Sequence, residues 1–285
     1  MDSIREILTD GFPARLREMH RPPEKLYVKG TLPPENRVHL TVVGARRYSD
    51  YGRDACEMLI EGLRGLPVVI VSGLALGIDS IAHRAALKNG LATIAVPGSG
   101  ISDEALYPAA HRELAREIVE RGGAVLSPFD PDMKATEWSF PVRNRVMAGL
   151  SNAVLIIEAE KKSGTLITGK YATELNRDVL TVPGPIFSKN SEGPHMLIRL
   201  GATPISSAAE LIDALGLESA KTVEEKDYSD LSPDEMRIVK LLETPMPREE
   251  LIGALDMDIQ EVSSLLSILE LKGHIRETLG EFRLD

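Results

Sequence analysis

Two arginines, an amide and two aromatic rings stand within eight residues: Trp138-Ser139-Phe140-Pro141-Val142-Arg143-Asn144-Arg145. Arg143 and Arg145 carry the planar, permanently charged fork that grips phosphate, and Phe140 or Trp138 offers a face on which a base can stack. The same residues also read as an ordinary helix start with salt-bridged arginines, and the stretch alone does not choose between these readings. Arg46 and Arg47, just beyond the first long apolar run, weight the choice toward an anion site at the same edge of a sheet.

Gly164-Thr165-Leu166-Ile167-Thr168-Gly169-Lys170-Tyr171 nearly spells a phosphate loop. Tyr171 replaces the hydroxyl that would hold magnesium, and Leu166 and Ile167 suit a helix better than a loop wrapped around phosphate. The better reading is that Ser163, Gly164 and Thr165 cap a helix whose amides face an anion, with Lys170 about a turn inward. Ser72-Gly73-Leu74-Ala75-Leu76-Gly77 lacks the glycine spacing of a dinucleotide site. Asp79 and His83, four residues apart, could face each other as a catalytic pair or as a structural contact. The six histidines are scattered and Cys56 is the only cysteine, so neither a metal cluster nor a disulfide framework is expected.

These residues need a frame. The runs Leu40–Val43, Val68–Val71, Thr93–Val96, Ala124–Leu126, Val154–Ile157 and Val179–Val182 are β-branched and continuous, as in strands buried on both faces. Amphipathic stretches lie between them, one carrying Ala55, Met58, Leu59 and Leu63 and another running from Ala109 to Arg121. Strand and helix in alternation predict an extended Rossmann-like, doubly wound, mostly parallel α/β sheet over residues 37–217. Ligands of such sheets bind at the carboxyl ends of the strands, and here those ends run into Gly, Ser or Pro. Residues 1–36, with one short helical pattern at Ile4, Ile7 and Leu8, read as a lead-in.

The formal net charge is −10, which argues against non-specific coating of nucleic acid. Its distribution matters more. Thr41 to Ile205 holds 18 acids and 18 bases, whereas Leu231 to Asp285 holds 12 acids and 6 bases. A neutral domain can still carry a basic pocket. No apolar run reaches the length of a spanning helix and no signal peptide opens the chain, so a cytoplasmic protein without a membrane partner is expected.

Residues 218–230 are polar and charged and read as a linker. Beyond it, Ser232-Pro233-Asp234-Glu235 is a capping box. A second helix is predicted near Pro247–Leu255. A third follows Asp258, with Val262, Leu265, Leu266 and Leu269 on one face, and a hairpin follows across Leu279-Gly280. Three helices and a hairpin make a small C-terminal winged-helix domain over 231–285. Its third helix opens Asp258-Ile259-Gln260-Glu261, acids where a DNA reader needs bases, so a protein-contact or regulatory role is favoured.

Val43-Gly44-Ala45-Arg46, Ser72–Asp79 with Ala82-His83, Tyr107-Pro108, Phe140–Arg145, Glu158-Ala159, Ser163–Thr168 and Pro183-Gly184 follow one another in order. Together they resemble the DNA-processing protein A (DprA, or Smf) family of bacteria, from about Leu26 to Pro204. The resemblance implies a domain that binds single-stranded DNA without sequence preference, dimerises, and helps load a RecA-type recombinase during natural transformation. It implies no cofactor and no catalytic residue. By the same match the DNA pocket falls on Arg46, Ser72, Gly73, Phe140, Arg143, Asn144, Arg145, Ser163, Gly164 and Thr165. Ala45 departs from the family's usual Ser, and the helical N-terminal domain of many members is nearly absent.

Two rival readings stand beside this one. A Rossmann-like nucleotide or nucleoside-phosphate hydrolase would need a Glu three residues after Thr165, where Thr168 stands. An adaptor working through its winged helix would leave the basic, aromatic stretch at 138–145 without a use. The apolar stretch at 194–202 serves equally as a core helix or as part of a homodimer surface.

Overall fold

A computed structural model describes residues 3–217, 231–242, 246–255, 257–278 and 281–284. The chain divides into two compact units, Met1–Ala220 and Lys221–Asp285. The expected linker at 218–230 lies outside the described residues.

In the first unit the chain runs through β1 (Arg5–Leu8), α1 (Ala14–Arg17), β2 (Lys25–Gly30), β3 (Val38–Val43), α2 (Asp50–Glu61), β4 (Val68–Ser72), α3 (Ile78–Lys88) and β5 (Ala92–Ala95). It continues through α4 (Arg112–Glu120), β6 (Ala124–Ser127), α5 (Ser139–Leu150), β7 (Ala153–Ile156), α6 (Thr165–Glu174), β8 (Asp178–Thr181), α7 (Glu192–Arg199), β9 (Thr203–Pro204) and α8 (Ala208–Ala214). The sheet has nine strands in the order β1-β2-β6-β5-β4-β3-β7-β8-β9. All pairings are parallel except β1 with β2 and β2 with β6. The expected doubly wound sheet is therefore present.

The strands are apolar on both faces because both faces are covered. Successive residues of a strand point to opposite sides. Val68 and Ile70 join one core with Cys56, Leu59 and Ile60 of α2 and Ile81 and Ala82 of α3. Val69 and Val71 join the other, with Val146, Met147 and Leu150 of α5 and Ala172 of α6. Cys56 is fully buried, and burial pushes its thiol far up, so it is inert packing.

The first residues correct the reading of a short helix. Arg5–Leu8 is a strand paired with β2, and β2 pairs in turn with β6. The free edge of β2 supplies the backbone partners that hold these residues extended. Phe12, Leu16 and Met19 are buried in the core that holds α5, so this segment is integral to the sheet unit.

Because β4 to β6 lie on one side of β3 and β7 to β9 on the other, the connections diverge between β3 and β7. A crevice opens at the carboxyl ends of the strands at such a reversal.

The second unit holds α9 (Pro233–Leu241), β10 (Met246–Pro247), α10 (Arg248–Ala254), α11 (Ile259–Leu271), β11 (Ile275–Thr278) and β12 (Glu281–Leu284). Both capping-box bonds form: Glu235 N donates to Ser232 Oγ at 3.2 Å and Ser232 N to Glu235 Oε2 at 2.7 Å. Val262, Leu266 and Leu269 of α11 pack on Ile238, Leu251 and Phe282, with Leu265 half-buried beside them. This is the winged helix that was expected. Its wing tip, Leu279-Gly280, lies outside the described residues.

His83 gives the first unit a pH-dependent stability. It is fully buried in α3, and its Nδ1 lies 2.7 Å from Thr93 Oγ1. The Thr93 hydroxyl donates to Ile70 O, so His83 must present Nδ1–H to it. Its Nε2 has no partner, and burial pushes the imidazolium down to about 3. Unfolded, the ring takes up a proton near its ordinary pKa of about 6.5. Below that pH the unfolded chain binds the extra proton, so stability falls as pH drops, by up to about 1.4 kcal/mol per unit. Urea unfolding between about pH 7 and about pH 5 will show a shallower loss for His83→Gln than for the parent; equal slopes would refute the assignment.

Candidate nucleic-acid interface

The crevice at the sheet reversal holds a cavity of about 370 Å3. Its wall comes from the turn after β3 (Gly44 to Arg47), the loop after β4 (Ala75), the loop after β7 (Glu160 to Gly164), and α5 and α6. Four cations line it, Arg46, Arg47, Arg143 and Lys162, against two carboxylates, Asp79 and Glu160. The local balance is basic in a chain that is acidic overall.

Arg143 fixes the floor. It is 5% exposed, and its Nη1 donates to Gly73 O and, at 2.8 Å, to Val96 O. One guanidinium thereby ties α5 to the ends of β4 and β5. Gly73 has to be glycine, because a β-carbon there would overlap both Arg143 Nη1 and Asp79 Oδ2. Asp79 is buried too and accepts from Gly73 N at 3.1 Å. Burial pushes its carboxyl up, while the charge of Arg143 and the amides of Ala75 and Gly73 pull it down. Asp79 therefore answers Arg143, and His83 turns instead to Thr93, so the suggested Asp79–His83 pair is not formed.

Phe140 lies one turn before Arg143 and rests on Gly98, where a β-carbon would sit 2.5 Å from its ring. The exposed guanidinium of Arg46 stands over this ring, 5.5 Å from its centroid, and Tyr107 tilts against it at 6.2 Å. A cation and a half-buried aromatic ring thus meet in the cavity wall. Trp138 does not share this role: it packs edge-on against Phe129 at 5.5 Å, off the cavity wall.

On the far wall Asn144 Nδ2 reaches Gly164 O at 3.5 Å. Ser163 Oγ accepts from Thr165 N at 3.1 Å, and Thr165 Oγ1 donates to Gly44 O at 3.1 Å. Leu166 N and Ile167 N also bond inside this turn. The start of α6 was expected to point free amides at an anion, yet these donors are engaged within the wall. The near phosphate loop is helical from Thr165 onward, so it wraps nothing.

Three expected site residues stand elsewhere. Arg145 follows Arg143 by two, and residues two apart on a helix do not share a face. Its guanidinium donates to Arg21 O at 2.9 Å and to His20 O, away from the cavity. Ser72 is buried with its hydroxyl on Val42 O at 2.6 Å. Lys170 points outward, 3.7 Å from Glu174. Lys162 and Asn190, by contrast, line the cavity without having been singled out. The pair Lys161-Lys162 just before Ser163 was a readable signal; Asn190 had none.

Among the described residues no group of His, Cys, Asp or Glu is placed to hold a metal ion, and no helix is long and apolar enough to cross a membrane.

Comparison with known proteins agrees with this geometry. The family described as DNA recombination-mediator protein A matches residues 4–216, and the DprA winged helix domain matches residues 222–281. Protein Smf of Escherichia coli K12 is 35% identical over 279 residues, covering 95% of this chain and 74% of its own. The DNA processing protein DprA of Streptococcus pneumoniae R6 is 41% identical over 206 residues, 72% of each chain. The solved structure of DprA from Streptococcus pneumoniae superimposes with a TM-score of 0.67 at 38% identity over 74% of each chain. That of DNA processing protein A from Helicobacter pylori, described for its single-stranded DNA binding mode, gives 0.65 at 27% identity over 75% of this chain and 98% of that one. With both of its units matched, the chain belongs to the DNA recombination-mediator protein A family.

Proposed function

We propose that this chain binds single-stranded DNA without sequence preference in the crevice, and passes the strand to a RecA-type recombinase during natural transformation or DNA uptake. The observation that carries the reading is the Arg46–Phe140 pair in the wall of a basic cavity. A cation beside a ring suits a phosphate beside a base, and every base has a face to stack. The Helicobacter pylori relative, described for its single-stranded DNA binding mode, supports it.

The cations divide by burial. Arg46, Arg47 and Lys162 are exposed and free to meet phosphates, while Arg143 is committed to two carbonyls and acts as frame. No catalytic step and no cofactor belong to this reading. At the position where related phosphoribohydrolases carry a Glu stands Thr168, buried in the wall. In the tail, Asp258 caps α11 and Glu261 lies in its first turn, which disfavours phosphate there. We assign the tail to protein contact.

The active form is proposed to be a cytoplasmic homodimer. Supporting it, Leu200 is 75% exposed beside Met196, Leu197 and Ile167, along an apolar groove between α6 and α7. Sedimentation at micromolar concentration is expected to give a dimer that Leu200→Asp converts to monomer. A parent that sediments as a monomer while binding a strand tightly would remove dimerisation from the mechanism.

The charge assignment is tested by substitution. Arg46→Glu and Lys162→Glu are expected to weaken binding of all oligonucleotide sequences alike. Each should lower the salt slope by about 0.7 per lost phosphate contact. Arg145→Glu should leave that slope unchanged. Arg143→Met should cost about 3–5 kcal/mol of folding stability by stranding Asp79. A folded Arg46→Glu, Lys162→Glu double variant with parental affinity would sink the pocket reading.

A further inference from the structure

Phe187 is 95% exposed and its neighbour Ile186 is 79% exposed, on the connection between β8 and α7. Neither is on a loose tether. Ser188 N donates to Pro185 O at 3.0 Å, closing a turn with Ile186 and Phe187 at its two central positions. Tyr51 Oη donates to Pro183 O at 2.6 Å, His195 Nε2 lies 3.0 Å from Gly184 O, and Ser191 N donates to Ser188 O at 3.1 Å. The turn is held from both ends and presents its apolar tip to solvent.

The turn adjoins the crevice. Asn190 lines the cavity and donates from Nδ2 to Arg47 O at 3.0 Å. Phe187 precedes it by three residues, at most roughly 10 Å of chain. Tyr48 and Tyr51, 42% and 47% exposed, lie on the segment that follows Arg47, and Tyr51 meets the base of the turn at Pro183 O. Arg47 and Lys189, next to Tyr48 and two residues from Phe187 in the chain, are exposed, and Asp50 pairs with Arg53 at 3.0 Å.

We propose that this turn is a second base-stacking site, with Phe187 as its platform, on which a single strand continues after leaving the crevice; this rests on the strand-binding reading above. Exposed rings with exposed cations close by in the chain, Arg47-Tyr48 and Phe187-Ser188-Lys189, beside a basic cavity suit a strand, whose bases and phosphates also recur together. A rigid tip loses little freedom on binding, so the contact is retained as affinity. The site takes any base, because stacking on a phenyl face reads no edge.

Fluorescence anisotropy with oligothymidylates of about 6 and about 20 nucleotides tests it, on the full chain. Phe187→Ser is expected to weaken the longer strand about tenfold and leave the shorter one, which fills only the crevice, unchanged. A strand carrying 5-iododeoxyuridine is expected to crosslink to Phe187 of the parent. Unchanged affinity for the longer strand, or equal loss at both lengths, overturns the second site. Arg46→Glu run alongside separates the two readings. If it weakens both lengths while Phe187→Ser weakens neither, the crevice stands and the turn falls; if it weakens neither, both fall. Parental strand affinity of Phe187→Ser with lost recombinase association would assign the tip to a protein partner and overturn the proposal.

Discussion

A guanidinium taken out of water costs several kcal/mol unless its charge and its protons are answered, and Arg143 is almost wholly buried. The structure answers it with two carbonyls, Gly73 O and Val96 O, and with the carboxylate of Asp79. Those partners come from the ends of β4 and β5 and from α3, so one side chain of α5 fixes how two strand ends and a helix meet. Phe140, a turn earlier on the same helix, is thereby set on Gly98 and under Arg46. The shape of the crevice follows from satisfying a buried charge, before any ligand arrives.

The polar wall opposite this floor is engaged in bonds of its own. Ser163, Thr165 and Asn144 spend their groups on one another and on Gly44 and Gly164. A wall of satisfied groups holds its shape but offers few donors, so attraction for an anion falls to the exposed cations Arg46, Arg47 and Lys162. Exposed charges act through water and are screened by salt. The frame therefore supplies geometry and the rim supplies affinity.

Much of the frame was legible in the sequence, because doubly buried strands impose continuous β-branched runs and the capping box at Ser232 is local chemistry. Strand Arg5–Leu8 was not, since four residues have no period and only the free edge of β2 makes them extended. In the site, the arginine stretch was legible as basic but not as divided. Arg143 and Arg145 look alike in sequence, and the helix sends one into the floor and the other to the carbonyls of His20 and Arg21. Asp79 was visible as a partner for His83 by spacing. The deciding fact, a guanidinium 64 positions further along the chain, is tertiary.

The net charge of −10 looks at odds with an anionic ligand until the distance over which charge acts is considered. At physiological salt the field of an exposed charge decays over about 8 Å, so a phosphate in the crevice feels its immediate rim and little of the rest. The rim carries three exposed cations, Arg46, Arg47 and Lys162, to one carboxylate, Glu160, while Asp79 and Arg143 balance each other in the floor. Thr41 to Ile205 as a whole is balanced, with 18 acids and 18 bases, so the surface around the rim adds no net attraction for a polyanion. A strand held by a few exposed cations, on a body that adds no net attraction, dissociates readily when another protein competes for its phosphates. On the proposed reading that is what a mediator requires: enough local charge to take the strand, and too little elsewhere to keep it.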